Sequence, residues 1–311
     1  MIATSSCEST FWAYLQMMRP ANILTAWADI LVGYAASGAV EIGLTTSVSA
    51  VTSAVGLLPL SWLLLSTTGL YGGGVVFNDV FDAEIDAEER PERPIPSGRA
   101  SKQEAIALGT FLLAVGVVAA AQVSLLSALL AAFIAVAALS YDAIAKHSPL
   151  FGPLNMGLCR GANLLLGVSA VPISVQSCWF LALIPVVYIA AITTISRGEV
   201  HGGSRSTGIV ALLMLGLVIA GIASLTFLPS YGGLSVLPFA LLFIALVLPE
   251  FVRAALNPTA EQIRGAVKAG IICLIVLDAT IASGFINWIY GLGVLSLLPL
   301  SRGLAKLFAV T

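Results

Sequence analysis

Nine stretches of this chain, each near 20 residues and almost free of charge, constrain its fold more than any other feature. They are 22–40, 55–77, 103–121, 125–142, 153–171, 178–195, 207–229, 235–253 and 267–290. A transmembrane helix needs about 20 mostly apolar residues to cross the hydrocarbon core. In lipid every backbone amide must be satisfied internally, which leaves helices or closed barrels, and these runs are too long for barrel strands. Composition points the same way, with 59% apolar and 10% charged residues among 311. Soluble domains carry roughly 25% charge, so this chain lacks the polar sequence to coat a soluble globule. The expected fold is an all-α membrane protein, a bundle of nine transmembrane helices forming one polytopic domain over 1–311. Disorder is excluded by the high hydrophobicity. A net charge of −2 offers no basic stripe for nucleic acid.

Local signals place some boundaries. Ser101 followed by Glu104 reads as a capping box starting the third helix, and Gln122–Ser124 marks a short break before the fourth. The first basic residue is Arg19, so no cleaved signal peptide is expected. The cysteines Cys7, Cys159, Cys178 and Cys273 form no metal or disulfide spacing and read as small apolar residues. The tail 291–311 is apolar with Arg302 and Lys306 and reads as interfacial. Of the fourteen Lys and Arg, eleven precede the first helix or follow an even-numbered one, Arg160 lies within a span, and Arg302 and Lys306 fall opposite. Cytoplasmic connections are enriched in Lys and Arg. The N-terminus and the connections 78–102 and 196–206 are therefore expected in the cytoplasm, with the protein in the cell inner membrane.

The connection Asn78-Asp79-Val80-Phe81-Asp82-Ala83-Glu84-Ile85-Asp86 holds the densest charge. If the second helix continues into it, Asn78, Asp82 and Asp86 recur every four residues on one face, with Asp79 beside them. Carboxylates gathered at the negative end of a helix dipole repel one another and call for a cation. Mg²⁺ prefers oxygen ligands and typically uses one or two carboxylates, waters and substrate phosphates. Arg90 and Arg93 follow at once, and metal with arginine is a common means of holding a diphosphate. A solvated acidic loop is the plainer alternative.

The stretch NDVFDAEIDAEERPERPIPSGRAS closely resembles the first signature of the UbiA superfamily of intramembrane prenyltransferases, an NDxxDxxxD motif followed by an RPIPSG-type segment. Arg19-Pro20 and the Tyr141–Lys146 connection resemble further family elements. Among its branches the chain looks most like the EboC-type proteins of bacterial secondary metabolism. The resemblance implies a UbiA-like bundle with a central cavity opening at the cytoplasmic side. It also implies Mg²⁺-dependent transfer of an isoprenyl group from an isoprenyl diphosphate to an apolar or aromatic acceptor within membrane lipid. Carried over, Asn78, Asp79, Asp82 and Asp86 hold metal, Arg19, Arg93 and Lys146 face the diphosphate, and Tyr141 offers a ring to the carbocation.

The second family motif is expected after the sixth helix. There the chain reads Ser196-Arg197-Gly198-Glu199-Val200-His201-Gly202-Gly203-Ser204-Arg205, with only Glu199 acidic and Gly203 where the family usually places an Asp. Glu199 is the remaining candidate metal ligand and catalytic acid of this loop, and Arg197 and Arg205 are candidate diphosphate ligands. The departure motivates a second reading, a non-catalytic binder or carrier of a lipid or metabolite precursor. Arg160 and Asn163 share one face of the fifth helix, where Gly157, Gly161 and Gly167 allow close helix approach. Intramembrane charge defaults to a functional role, so Arg160 and Asn163 are either substrate ligands or a buried structural pair with Asp29 or Asp278.

Overall fold

The computed structural model describes residues 3–40, 50–229 and 231–308, and among them it contains helices and no strands. The side chain of Cys7 lies outside the described residues, and the other three cysteines are free thiols. The helices are α1 Ala3–Met18, α2 Pro20–Ala36, α3 Ala50–Phe81, α4 Ala83–Glu89, α5 Lys102–Ala121, α6 Leu125–Ala143 and α7 Phe151–Val168. After them come α8 Ser174–Cys178, α9 Leu183–Ser196, α10 Arg205–Leu225, α11 Gly233–Leu256, α12 Ala260–Phe285, α13 Trp288–Leu295 and α14 Leu297–Leu307.

Among the described residues, eight helical stretches are long and apolar enough to cross a membrane. Seven coincide with expected spans: Leu57–Phe81, Lys102–Ala121, Leu125–Ala143, Ser174–Ser196, Arg205–Leu225, Gly233–Leu256 and Ala260–Phe285. The expected spans 22–40 and 153–171 are the helices α2 and α7, of 17 and 18 residues. Both are interior elements rich in small and polar residues: thirteen of the α2 residues are buried. Outward-facing helices expose large apolar side chains, such as Leu125, Phe133, Leu213 and Leu241, as a lipid solvent requires.

Lipid tails are as apolar as leucine, so close backbone approach rather than hydrophobic burial holds such helices together. A Cβ on Gly33 would meet the Leu164 carbonyl oxygen of α7 at 2.2 Å, and one on Gly167 would meet the Ile30 carbonyl oxygen of α2 at 2.5 Å. Gly157 and Gly161 sit as tightly against Val186 and Ala182. Glycine is therefore required where α7 is clasped between α2 and the start of α9. The break at Gln122–Ser124 is real: Ser124 caps α6 by accepting from the Ser127 amide. Ser101 accepts from the Glu104 amide and starts α5.

The eighth membrane-length stretch is Trp288–Leu307, in the tail read as interfacial. It runs beside α2 in the opposite direction. Tyr290 donates to the Leu31 carbonyl at 3.0 Å, Ser301 donates to the Ala21 carbonyl at 2.8 Å, and Phe308 stacks on Trp12 at 4.6 Å. Arg302 and Lys306 thus stand at the Arg19 end of the bundle, which corrects their expected place at the opposite end. The apolar length of the tail carries it back along α2, and so thirteen of the fourteen basic residues gather toward one end.

Candidate functional site

The end of the bundle that gathers these charges is built by α1, the last turn of α3, α4 and the connections after α4, α6 and α9. Ala13 and Met17 of α1 pack with Val76, Val80, Ala100 and Ala105, which lays the start of α2 over the end of α3. Tyr14 ties α1 down by donating to Glu104 at 2.5 Å. Arg19 joins the two helices in a left-handed conformation, φ +48°. A residue with a side chain is disfavoured there, by about 1–2 kcal/mol. Such strain is typically held at functional positions. Here it aims the guanidinium at Asp79, 2.9 Å away.

Helix α3 ends at Phe81 and Asp82 is the N-cap of α4, yet the helical hydrogen bonds continue across the junction. The Asp82 amide donates to the Asn78 carbonyl at 2.9 Å and the Asp86 amide to the Asp82 carbonyl at 2.8 Å. Asn78, Asp79, Asp82 and Asp86 therefore stay on adjacent turns, as the spacing predicts. The Pro-rich segment after α4 then folds back. Ser97 donates to the Arg93 carbonyl, Ala100 to the Pro94 carbonyl, and Gly98 takes φ +72°. This turn puts Arg93 2.7 Å from Asp86 and 3.5 Å from Asp79. Lys146, from the short turn after α6, forms an ion pair with Asp82. Asn78 donates from its amide nitrogen to Asp142 at 2.8 Å and to Asp82 at 3.2 Å.

Four carboxylates thus meet three cations, and each acid of the signature has its own cationic partner. Tyr141 is half-buried within electrostatic reach of Asp82 and Arg197. Asp142 is the member that sequence reasoning missed. It is buried at the end of α6, and its signal was an acid four residues before Lys146, next to the Tyr already singled out.

The second loop packs differently. Arg197 is exposed and donates to the Ser148 carbonyl, which brings it beside the Lys146 turn. Glu199 faces Arg90 and Arg264. Burial raises its pKa above the ordinary carboxyl range, and the two guanidiniums pull it part of the way back. Arg205 opens α10 and His201 lies in the loop, both exposed. Gly203, the place of the expected acid, is exposed; its amide donates to the Pro258 carbonyl at 2.9 Å, and a Cβ there would approach only the flexible δ-methyl of Ile263, at 2.9 Å. Arg160 and Asn163 lie away from this end and contact Asp29, at 2.8 and 2.9 Å.

Among the described residues no three acidic, His or Cys groups converge as a ready metal cage. The donor set nevertheless suits Mg²⁺. Asn78 and the Asp residues supply only hard oxygens on neighbouring turns, and the cluster carries one more negative than positive charge. Mg²⁺ needs only one or two of these carboxylates when waters and a phosphate complete its shell.

A profile of the UbiA prenyltransferase family matches residues 42–271. The chain belongs to this family. The digeranylgeranylglyceryl phosphate synthase of Methanothrix thermoacetophila is 36% identical over 187 residues, 59% of this chain. The match covers 61% of that protein, so the chain spans less than two thirds of the length of such relatives. A solved structure of digeranylgeranylglyceryl phosphate synthase in membranes shares the fold, with a TM-score of 0.67 and 20% identity, over 89% of this chain and 99% of that one. A UbiA homologue from Archaeoglobus fulgidus bound to GPP and Mg²⁺ shares it with a TM-score of 0.51 and 18% identity, over 91% of this chain and 99% of that one. These likenesses make the bundle a UbiA-like fold and agree with the family read from the acidic signature.

Proposed function

We propose that this UbiA family member transfers an isoprenyl group from an isoprenyl diphosphate to an apolar or aromatic acceptor. The observation that carries this is the pairing of Arg19, Arg93 and Lys146 with Asp79, Asp86 and Asp82 at one end of an apolar bundle. The homologue seen with GPP and Mg²⁺ supports the same donor here. Mg²⁺, held by Asn78, Asp79, Asp82 and Asp86 with Glu199 as a further ligand, would supply positive charge to the leaving diphosphate. Arg19, Arg93 and Lys146 add fixed positive charge where negative charge develops, joined by Arg197 and Arg205, and preorganised charge of this kind lowers the barrier to ionisation. A central cavity opening at this end keeps water from the allylic cation, and the Tyr141 ring faces it. This end lies in the cytoplasm of the inner membrane, since the basic residues gather there. The relatives are named for a glyceryl phosphate lipid, while the resemblance to the EboC-type branch favours secondary metabolism and a different acceptor.

The second loop, with Glu199 as its one acid and Gly203 where the family usually places an Asp, favours a second reading, a non-catalytic binder or carrier of a lipid or metabolite precursor. Purified chain given geranyl diphosphate, Mg²⁺ and candidate acceptors separates the two by release of diphosphate. Release that disappears in Asp79→Asn and Asp82→Asn supports the enzyme and its site. Undiminished release in both variants refutes the residue assignment, and donor binding without release favours the binder.

A further inference from the structure

Among the four carboxylates of the charged end, Asp142 is the one in no ion pair. Arg19, Arg93 and Lys146 pair with Asp79, Asp86 and Asp82. Asp142 sits at the end of α6, only 4% exposed, and takes its hydrogen bond from the neutral amide of Asn78 at 2.8 Å. Burying an acid without a cation is costly, and departures of this kind concentrate at functional sites.

Joining the helices does not account for the acid. One turn before the Asn78–Asp142 pair, a Cβ on Gly74 of α3 would stand 3.4 Å from the Ala138 Cβ of α6, an ordinary packing distance. The two helices already touch there, and the pair lies four residues further along each. What Asp142 does determine is the direction of the Asn78 amide. The Asn78 nitrogen donates to Asp142 Oδ1 at 2.8 Å and to Asp82 Oδ2 at 3.2 Å, which uses both of its hydrogens. Ionised carboxyls only accept, so a reversed amide would set its oxygen against two others. The Asp82 bond is the longer, and that carboxyl is shared with Lys146. Asp142 is therefore the firmer anchor. The Asn78 side chain is half-buried, and its Oδ1 is neither bonded by a described residue nor sealed from space. One end of the amide is fully occupied, and the other is left free for a cation.

We propose that Asp142 is a positioning residue for the metal site: by holding the nitrogen of Asn78 it presents Oδ1 to Mg²⁺. This role rests on the proposed function, in which Asn78 is a metal ligand. Partners that orient a ligand in this way typically carry about 10–100-fold in metal affinity. The negative charge of Asp142 would also attract a cation without any orienting effect, and the test separates the two.

The full chain in lipid nanodiscs is titrated with Mg²⁺ at a trace level of radiolabelled geranyl diphosphate. The readout is the Mg²⁺ concentration that half-saturates donor binding. Asp142→Leu, of similar size and unable to accept, should raise it about tenfold or more. Asp142→Asn loses the charge but keeps an oxygen able to accept the same bond. It should recover roughly threefold or more of that loss. In an Asn78→Ala background the cost of Asp142→Leu should shrink by roughly threefold or more, because the two residues act as a unit. The proposal is overturned by a folded Asp142→Leu with normal Mg²⁺ dependence, by Asn and Leu variants equally impaired, or by the same cost in both backgrounds. If Asp142→Leu does not fold, nuclear magnetic resonance of the unaltered chain labelled with ¹⁵N-asparagine decides. The side-chain signal of Asn78, identified by its loss in Asn78→Ala, should exchange slowly with solvent and shift on adding Mg²⁺ with geranyl diphosphate. Fast exchange, or no shift, overturns the proposal. Mg²⁺-dependent donor binding that ignores Asp142 refutes this role alone, whereas donor binding that ignores Mg²⁺ refutes the proposed metal site and this role with it.

Discussion

Arg93 is the one cation that touches two acids of the signature, which makes Arg93→Gln the most informative perturbation of the charged end. Its guanidinium is 2.7 Å from Asp86 and 3.5 Å from Asp79, and the side chains are only 12%, 6% and 7% exposed. At an effective dielectric of about 20, these separations correspond to gross attractions of about 6 and 5 kcal/mol. Much of that offsets desolvation, and removing one partner of a buried pair typically costs about 3–5 kcal/mol. Asp79 keeps Arg19 at 2.9 Å, so the loss falls mainly on Asp86. Arg93→Gln should therefore unfold about 3–5 kcal/mol more easily in a denaturant series in detergent without metal. Mg²⁺ restores positive charge between the same oxygens and should stabilise the variant more than the unaltered chain. A variant as stable as the unaltered chain, or equal Mg²⁺ stabilisation of both, would refute the electrostatic reasoning.

Two further perturbations test the second loop and the packing. The folded chain binds the Glu199 proton more tightly than the unfolded chain, because burial raises its pKa. Its contribution to stability is thus present below the ordinary carboxyl range and lost as pH climbs through the raised value. Glu199→Gln should melt higher than the unaltered chain at pH 7, with the gap closing below about pH 4; a variant that melts lower at pH 7 contradicts this. Gly167→Ala drives a Cβ into the Ile30 carbonyl, and should destabilise by roughly 1–3 kcal/mol. Full stability would contradict the close approach.

The parts of the fold that were legible in the sequence are those set by neighbours along the chain. Ser101 with Glu104, the break at Gln122–Ser124, the glycines of α7 and the four-residue recurrence from Asn78 to Asp86 all act within a turn or two. Which cation meets which acid was not legible, since Arg19 and Asp79, or Lys146 and Asp82, are some 60 residues apart and their meeting depends on how helices pack. The same holds for Arg160, whose pairing with Asp29 appeared only among alternatives. Asp142 was overlooked because a single acid closing an apolar run resembles a helix end. The tail misled for a different reason. Two basic residues on an apolar helix suit both an interfacial segment and a crossing one, and only the contacts of Tyr290, Ser301 and Phe308 show which way it runs.

The account stands most directly on calorimetric titration of the purified chain with geranyl diphosphate, with and without Mg²⁺. Binding should require the metal, and it should be lost when Asp79 and Asp82 are both changed to Asn. Equally tight binding without Mg²⁺, or binding that survives the loss of both carboxylates, would contradict the claim that these acids hold a metal-bound diphosphate.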